Sequence, residues 1–339
     1  MKRVLVTGAA GFIGAHLLQA LSSNEEVEVV GLDSFSDYYS VDYKLRRVDA
    51  LIGANSNQLI EVDVADDEQV DEMFRAFRPD VVVHLAAQAG VRLMTDFYSN
   101  YVHSNLTGFS NILVACARYE TQSLLYASSS SVYGNQIQGV LSESIKSLLP
   151  TSFYGATKLS NELLAASISA RHGIRTRGLR YFTVYGPWGR PDMAYFRMLE
   201  SLVNHRPFSL NGDGSIQRDF TFVSDVVGMT IALMNDLNSM QADFCDVVNL
   251  GGGAPHSMTS LIGMIEHLSK KKLILELVDP EPSDVSRTES DKAYLESLIG
   301  RRHFVTLEEG LTRFLEWGEE SSTSVRLADW VESSFKYTK

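Results

Sequence analysis

Val4-Leu5-Val6-Thr7-Gly8-Ala9-Ala10-Gly11-Phe12-Ile13-Gly14 is the stretch on which the reading of this chain turns. A short β-forming run leads into a glycine-rich turn, and the residues after it open a helix. Glycines there permit a tight reversal, let the backbone approach a pyrophosphate, and let the helix pack against the sheet. The free N–H groups of the helix N-terminus then face the phosphates. The spacing is G-x-x-G-x-x-G rather than G-x-G-x-x-G, so plain turn chemistry is the competing reading. Asp33 closes the next strand about 20 residues further on, where a carboxylate accepts from ribose hydroxyls and repels a 2′-phosphate. No arginine lies between Ser34 and Asp37. The pattern points to NAD rather than NADP. Asp63, ending a third strand, sits where an adenine contact can form. For both aspartates a turn or cap role is the alternative.

Outward from that stretch the chain keeps alternating. Residues 3–7, 27–32, 59–62, 81–85, 124–128 and 176–181 read as strands, and 11–21, 67–77, about 102–118 and 155–171 as helices. Val81-Val82-Val83-His84-Leu85 is a strand of the kind buried on both faces. This alternation predicts an α/β fold with a Rossmann-like, doubly wound parallel sheet. After Gly186 the pattern loosens, with glycine and proline punctuating 186–191 and 211–214. The expected division is an NAD-binding domain over 1–180 and a smaller C-terminal, mainly substrate-binding lobe over 181–339, some segments of which return to the first domain. Pieces near 247–250 and 259–267 either extend the sheet or build the lobe. The region from 307 reads as helical, and 325–335 as one extra helix with no assigned role.

Composition bounds the partners. The 339 residues are 45% apolar and 21% charged, ordinary for a globular protein. No apolar run approaches the roughly 18 residues of a membrane span, and no signal-peptide pattern precedes the glycine turn. A cytoplasmic protein without a membrane partner is expected. Cys116 and Cys245 both have apolar neighbours and read as buried, reduced thiols, against a disulfide framework or a metal site. The net charge of −12 disfavours nucleic acid. An anionic small substrate would need local arginines working against the overall field.

Tyr154 and Lys158, in Tyr-Gly-Ala-Thr-Lys, are four apart and share a helix face. A phenol is a poor base at neutral pH, with an ordinary pKa near 10. A neighbouring ammonium favours the phenolate and brings it toward the working range. Before this pair, Ala127-Ser128-Ser129-Ser130-Ser131-Val132-Tyr133-Gly134 ends a strand. Hydroxyls at that end face the ligand crevice of an open α/β sheet. A polar loop with capping serines is the alternative.

Together with His84-Leu85-Ala86-Ala87-Gln88, these motifs resemble the extended short-chain dehydrogenase/reductase superfamily, over residues 2 to about 318. Residues 180–194, Arg-Tyr-Phe-Thr-Val-Tyr-Gly-Pro-Trp-Gly-Arg-Pro-Asp-Met-Ala, are more specific. With Ala86-Ala87-Gln88-Ala89-Gly90-Val91-Arg92 and Gly212-Asp213-Gly214-Ser215, they are similar to the UDP-glucuronate 4-epimerase branch. The resemblance implies a catalytic trio of Ser129, Tyr154 and Lys158. Tyr154 would take the proton of the sugar 4-hydroxyl while a hydride passes to bound NAD. Ser129 would bond the same oxygen, and Lys158 would hold the cofactor ribose. The 4-keto sugar would turn over and take the hydride back on its other face. Cofactor contacts are expected from Gly8, Gly11, Phe12, Ile13, Gly14, Asp33, Asp63, Val64, Leu85, Ala86, Ala87, Gln88, Asn105 and Tyr181, besides Tyr154 and Lys158.

Dehydratases and decarboxylases of this kind carry an acid one or two places after the catalytic Ser/Thr, where this chain has Ser130 and Ser131. A 4-keto uronate loses carbon dioxide when its carboxylate bond aligns with the ketone, so an epimerase must hold the carboxylate aside. The resemblance places Ser130, Ser131 and Thr183 around it. Many hexose epimerases have Asn at the Thr183 position. Arginine pairs with diphosphate and carboxylate through its planar fork; Arg190 and Arg218 are the candidates, with Arg287 and Arg92 behind them. Leu93, Ser224 and Leu298-Ile299-Gly300-Arg301-Arg302 depart from the branch pattern, and the tail beyond 318 is unlike it. The expected protein is a homodimer, built through a four-helix bundle of helices near 103–118 and 155–171, that supplies surface polysaccharide synthesis. The rivals are a 4-epimerase of UDP-glucose or UDP-N-acetylglucosamine, a dehydratase or decarboxylase, and a non-catalytic NAD-binding regulator. A regulator would be expected to lack the Tyr or Lys, and both are present.

Overall fold

A computed structural model describes residues 1–53, 58–91, 94–135, 139–280, 285–320 and 327–334. Its central sheet begins with β1 (Lys2–Thr7), β2 (Val27–Asp33), β3 (Leu59–Glu61), β4 (Val81–His84), β5 (Ser123–Ser129) and β6 (Arg175–Tyr181). A seventh strand, β10 (Cys245–Leu250), joins from far along the chain. All pair in parallel, in the order β10-β6-β5-β4-β1-β2-β3. This is the doubly wound sheet expected from the alternation. Side chains of β1 divide by parity: Val4 and Val6 enter one core and Leu5 the other. The strand order reverses between β1 and β4, so a crevice opens at their carboxyl ends.

Helices cover both faces. On one, α1 (Phe12–Ser22) packs against α8 (Val223–Ser239), with α2 (Val41–Ile52) beside α1. On the other lie α3 (Asp67–Phe77), α5 (Gly108–Arg118) and α6 (Phe153–His172). The second lobe holds the small sheet β11-β9-β7, from β7 (Thr183–Tyr185), β9 (Gln217–Phe222) and β11 (Pro255–Ser257). It also holds the pair β8 (Pro207–Asn211) and β12 (Ile274–Val278), with α7 (Ala194–Asn204), α9 (Met258–Ser269) and α11 (Leu307–Glu319) nearby, while α10 (Ala293–Ile299) returns to pack on α8 and β10 of the central sheet. A final helix, α12 (Leu327–Ser334), packs on α7. Among the described residues no helix is long and apolar enough to cross a membrane.

The two pieces left open by the sequence part company: 247–250 lies in β10 and extends the central sheet, whereas 259–267 lies in α9, in the second lobe. Three local differences stand out. Helix α2 follows β2 where no helix was expected. Ser40 caps it by accepting from Tyr43 N at 3.2 Å. The helix expected over 102–118 begins earlier, at α4 (Tyr98–Tyr101), and passes through a π-helical segment, Val102–Thr107, before α5. Cys116 is buried and its thiol is pushed up to about 12 by that burial, but Cys245 is exposed. It is the first residue of an edge strand, where apolar sequence neighbours do not cover it.

Candidate active site

The glycine turn is built by close backbone approach. Gly8 has φ +69°, and a Cβ there would lie 2.7 Å from Ala86 N. A Cβ on Gly14 would lie 2.0 Å from Gly8 O, so α1 starts directly against the turn. The turn forms one wall of a cleft of about 560 Å³ that runs from β1 across to the second lobe. Gly8, Gly11, Phe12, Ile13, Gly14, Asp33, Asp63, Val64, Leu85, Ala86, Ala87, Gln88 and Tyr181 line it. The Asp33 carboxylate accepts from Ala10 N at 3.0 Å and Phe35 N at 2.8 Å, one bond per oxygen. It therefore braces the turn and still has lone pairs for a ribose. Asp63 accepts from Ala65 N at 2.9 Å and meets His103 Nε2 at 2.8 Å.

At the end of β4, Thr7 Oγ1 meets His84 Nδ1 at 2.8 Å and accepts from Ala86 N at 3.2 Å. Burial drives the His84 imidazole down to about 3, helped by the Lys158 charge, so it is neutral at working pH. Asn105, expected at the cofactor, lies behind the cleft wall instead. Its amide accepts from Gln88 N at 2.8 Å and donates to Gln88 O at 3.1 Å and Thr157 Oγ1 at 3.0 Å. The wide π turn presents Asn105 inward, and its hydrogen bonds are spent on the loop that faces the ligand space.

The catalytic candidates meet at the ends of β5 and α6. Ser152 caps α6 by accepting from Gly155 N at 3.0 Å, which sets Tyr154 in the first turn and Lys158 one turn on. Ser129 Oγ accepts from Ser131 N and donates to Ser131 Oγ, both at 3.1 Å, and is also within hydrogen-bonding reach of the Tyr154 phenol. Behind them Arg180 grips Glu162 through two bonds of 2.8 Å, and Glu162 accepts from Ser128 at 2.6 Å. Glu162 thus ties α6 to β6 through Arg180 and, through Ser128, to the strand that carries Ser129.

Lys158 is 1% exposed and lies 5.8 Å over the Tyr154 ring. Its ammonium has no hydrogen bond among the described residues, and burial pushes it down to about 8. A buried, unbonded cation on the wall of a cleft is fitted to take hydroxyl ligands, as a ribose offers. Burial raises the Tyr154 phenol, while the Arg190 charge and the Ser129 hydrogen bond bring it down. Arg190 is thus a cation favouring the phenolate that the sequence did not single out for that role.

Ser130, Ser131, Thr183, Arg190 and Arg218 also line the cleft. Arg190 forms a fork on Asp192, at 3.0 and 2.8 Å, and Asp192 accepts from Tyr38 at 3.2 Å. Arg218 donates to Val285 O and Gln217 O. Arg287 stands apart: it is exposed, pairs with Glu289 at 2.6 Å and is absent from the lining. The exposed stretch that carries it lets its guanidinium find a carboxylate two residues away. Arg92 lies outside the described residues. The sequence reading missed Tyr38, Asp192, Arg197, Phe208 and Phe220, all on the lining. Asp192 follows two residues after Arg190 and was legible as its partner; the two phenylalanines carry no signal beyond hydrophobicity.

The profile of the NAD dependent epimerase/dehydratase family matches residues 4–251. The chain is 36% identical over 334 residues to a probable UDP-glucuronate 4-epimerase of Rhizobium meliloti (strain 1021), covering 94% of this chain and 97% of that protein. The structure resembles a UDP-glucuronic acid 4-epimerase from Bacillus cereus, solved with UDP-glucuronic acid and NAD. The TM-score is 0.85 at 34% identity, over 93% of this chain and 98% of that one. A UDP-glucose 4-epimerase from Thermus thermophilus, solved with NAD, gives a TM-score of 0.81 at 27% identity, over 94% and 99%.

Proposed function

Because this chain belongs to the NAD-dependent epimerase/dehydratase family, we propose that it is an NAD-dependent 4-epimerase of a UDP-sugar, converting UDP-glucuronate to UDP-galacturonate. The observation that carries the reading is one cleft in which Tyr154, Ser129 and Lys158 meet the glycine turn, while hydroxyls follow Ser129 where an acid would serve a dehydratase or decarboxylase. The likeness to UDP-glucuronate 4-epimerases supports the same sugar.

When bound, NAD supplies the acceptor for the C4 hydride and gives it back to the opposite face. Gly8, Gly11 and Gly14 admit its pyrophosphate to the head of α1, and Asp33 takes the ribose hydroxyls. Lys158 holds the second ribose. Tyr154 removes the 4-hydroxyl proton as general base, and Ser129 donates to that oxygen. Arg190 favours the phenolate that this step requires. Ser130, Ser131 and Thr183 hold the carboxylate out of line with the C4 ketone and so prevent decarboxylation. Arg218, with Arg190, faces the diphosphate. Arg287, outside the cleft lining and paired with Glu289, is the weakest candidate for the diphosphate, and Arg92 is a candidate for the sugar or a loop.

The protein also fits a homodimer through α5 and α6. Val114 on α5 and Leu163 and Leu164 on α6 are exposed, Leu163 by 68%. Exposed apolar side chains on two neighbouring helices are the start of an association surface. A cytoplasmic enzyme feeding surface polysaccharide is consistent with a nucleotide-sugar substrate.

The deciding experiment is incubation with UDP-glucuronate without added NAD, followed by product separation. A galacturonate product supports an epimerase with retained cofactor. A pentose product identifies a decarboxylase. Turnover only of UDP-glucose or UDP-N-acetylglucosamine moves the substrate to the rival reading, and inertness toward all three favours the regulator.

A further inference from the structure

Helix α12 is the part of the chain that the site does not use, yet Trp330 on it is 1% exposed and is among the largest fully buried side chains. Its ring lies 4.5 Å from that of Tyr43 on α2. The Tyr43 ring in turn lies 4.7 Å from the Arg47 guanidinium, and Tyr43 donates to Gly189 O at 2.6 Å. Arg47 is fully buried and has no carboxylate within ion-pair distance among the described residues. Its Nη1 donates to Ala10 O at 2.7 Å and to Tyr39 at 2.9 Å, and its Nε donates to Trp188 O at 2.9 Å. Nη2 has no hydrogen-bond partner among the described residues. Ala10 belongs to the glycine turn, and Trp188 stands two residues before Arg190. One guanidinium thus joins the two loops that face cofactor and sugar nucleotide.

Hydrogen bonds from a guanidinium to carbonyls are strongest where water does not compete for it. Trp330 and Tyr43 form the cover. The helix that brings Trp330 there is anchored to both sides: Ser333 accepts from Ser40 N at 2.8 Å at the head of α2, and Glu332 pairs with Arg206 at 2.5 Å just beyond α7.

We propose that α12 is a strap that seals Arg47, and that Arg47 couples NAD retention to sugar-nucleotide binding by linking the glycine turn to the Arg190 loop. Trp330 and Arg47 are then positioning residues, acting through Ala10 and Trp188. The proposal rests on the functional reading above. Loosening the link should weaken each ligand's effect on the other, because such coupling is reciprocal.

The test uses full-length holoprotein and UDP as the probe. Two quantities are read: the Kd of UDP, and the half-time of NAD loss with and without saturating UDP. In the unaltered chain UDP is expected to prolong NAD retention by about tenfold, within the usual range of coupling. Trp330→Ala, a chain ending at Glu320, and Arg47→Met should each weaken UDP binding by about tenfold and reduce the prolongation to less than about twofold. Trp330→Phe, which keeps an aromatic cover, should restore most of both. A tail that only stabilises the fold would lower the Tm of Trp330→Ala and leave both quantities unaltered, and that result overturns the proposal. So does an unaltered chain that binds NAD and UDP independently. A chain that binds neither overturns the functional reading itself, and is told apart by that.

Discussion

Tyr154 carries the proton step, and its neighbours set what removing it should do. Tyr154→Phe keeps the ring against Tyr101 and Lys158 and deletes only the hydroxyl. A drop in kcat of about 10³-fold with UDP affinity retained is expected for loss of a general base; steady-state kinetics with a binding titration checks it. Lys158 gives a contrary pair of outcomes. Its folded pKa, about 8, lies below the ordinary 10.5. Between those values the unfolded chain holds a proton that the folded chain has lost, so stability rises with pH across that window. Below pH 8 the full penalty stands, on the order of 3 kcal/mol at most. Lys158→Met should therefore abolish turnover and raise the Tm of cofactor-free protein at pH 7, with the gain shrinking toward pH 10. A lowered Tm would mean that the ammonium is stabilised by something other than its ligand. The residues most legible in the sequence were those whose chemistry needs a fixed local spacing: the glycines, and Tyr154 with Lys158. Arg287 was not, because an arginine's partner is set by which carboxylate the fold brings near, here Glu289.

At the scale of elements, the strands were legible because burial on both faces makes them continuous apolar runs, as in Val81–His84. Helix α2 was hidden by its composition. Its buried face includes Lys44 and Arg47 beside Tyr43, Val48 and Ile52, so the apolar stripe is broken by charge. The Ser40 cap and the following Gly53 were the available signals. The π-helical segment left no sequence mark, since nothing in residue type distinguishes a wide turn from a regular one. Its work is visible only in the bonds of Asn105. Asn105→Ala would leave Gln88 N and O without those partners in a buried place, at a cost of about 1–3 kcal/mol. Lower Tm together with NAD-poor purified protein is the expected outcome, read by thermal denaturation and cofactor absorbance. Unchanged NAD content would mean that the 85–90 loop is held by other contacts.

For the whole molecule, α5 and α6 have two duties: their inner faces support the cleft and their outer faces bear Val114, Leu163 and Leu164. Leu163→Glu should turn a dimer into a monomer in sedimentation velocity, whereas an unaltered chain that sediments as monomer removes the dimer from the description. The π-helical segment Val102–Thr107 joins these outer and inner worlds. On its N-terminal side Tyr101 donates to Gly90 O at 2.5 Å, beside the ligand space, and on its C-terminal side α5 carries Val114 to the surface. Removing one residue from that segment would let the helix wind regularly, and because a wide turn takes up one more residue than an α turn, the two sides would keep nearly the same phase. Every side chain on either flank would survive such a deletion, and so would the phase between them; the wide turn that sets Asn105 against Gln88 would not. Length, more than composition, is what this stretch has to inherit.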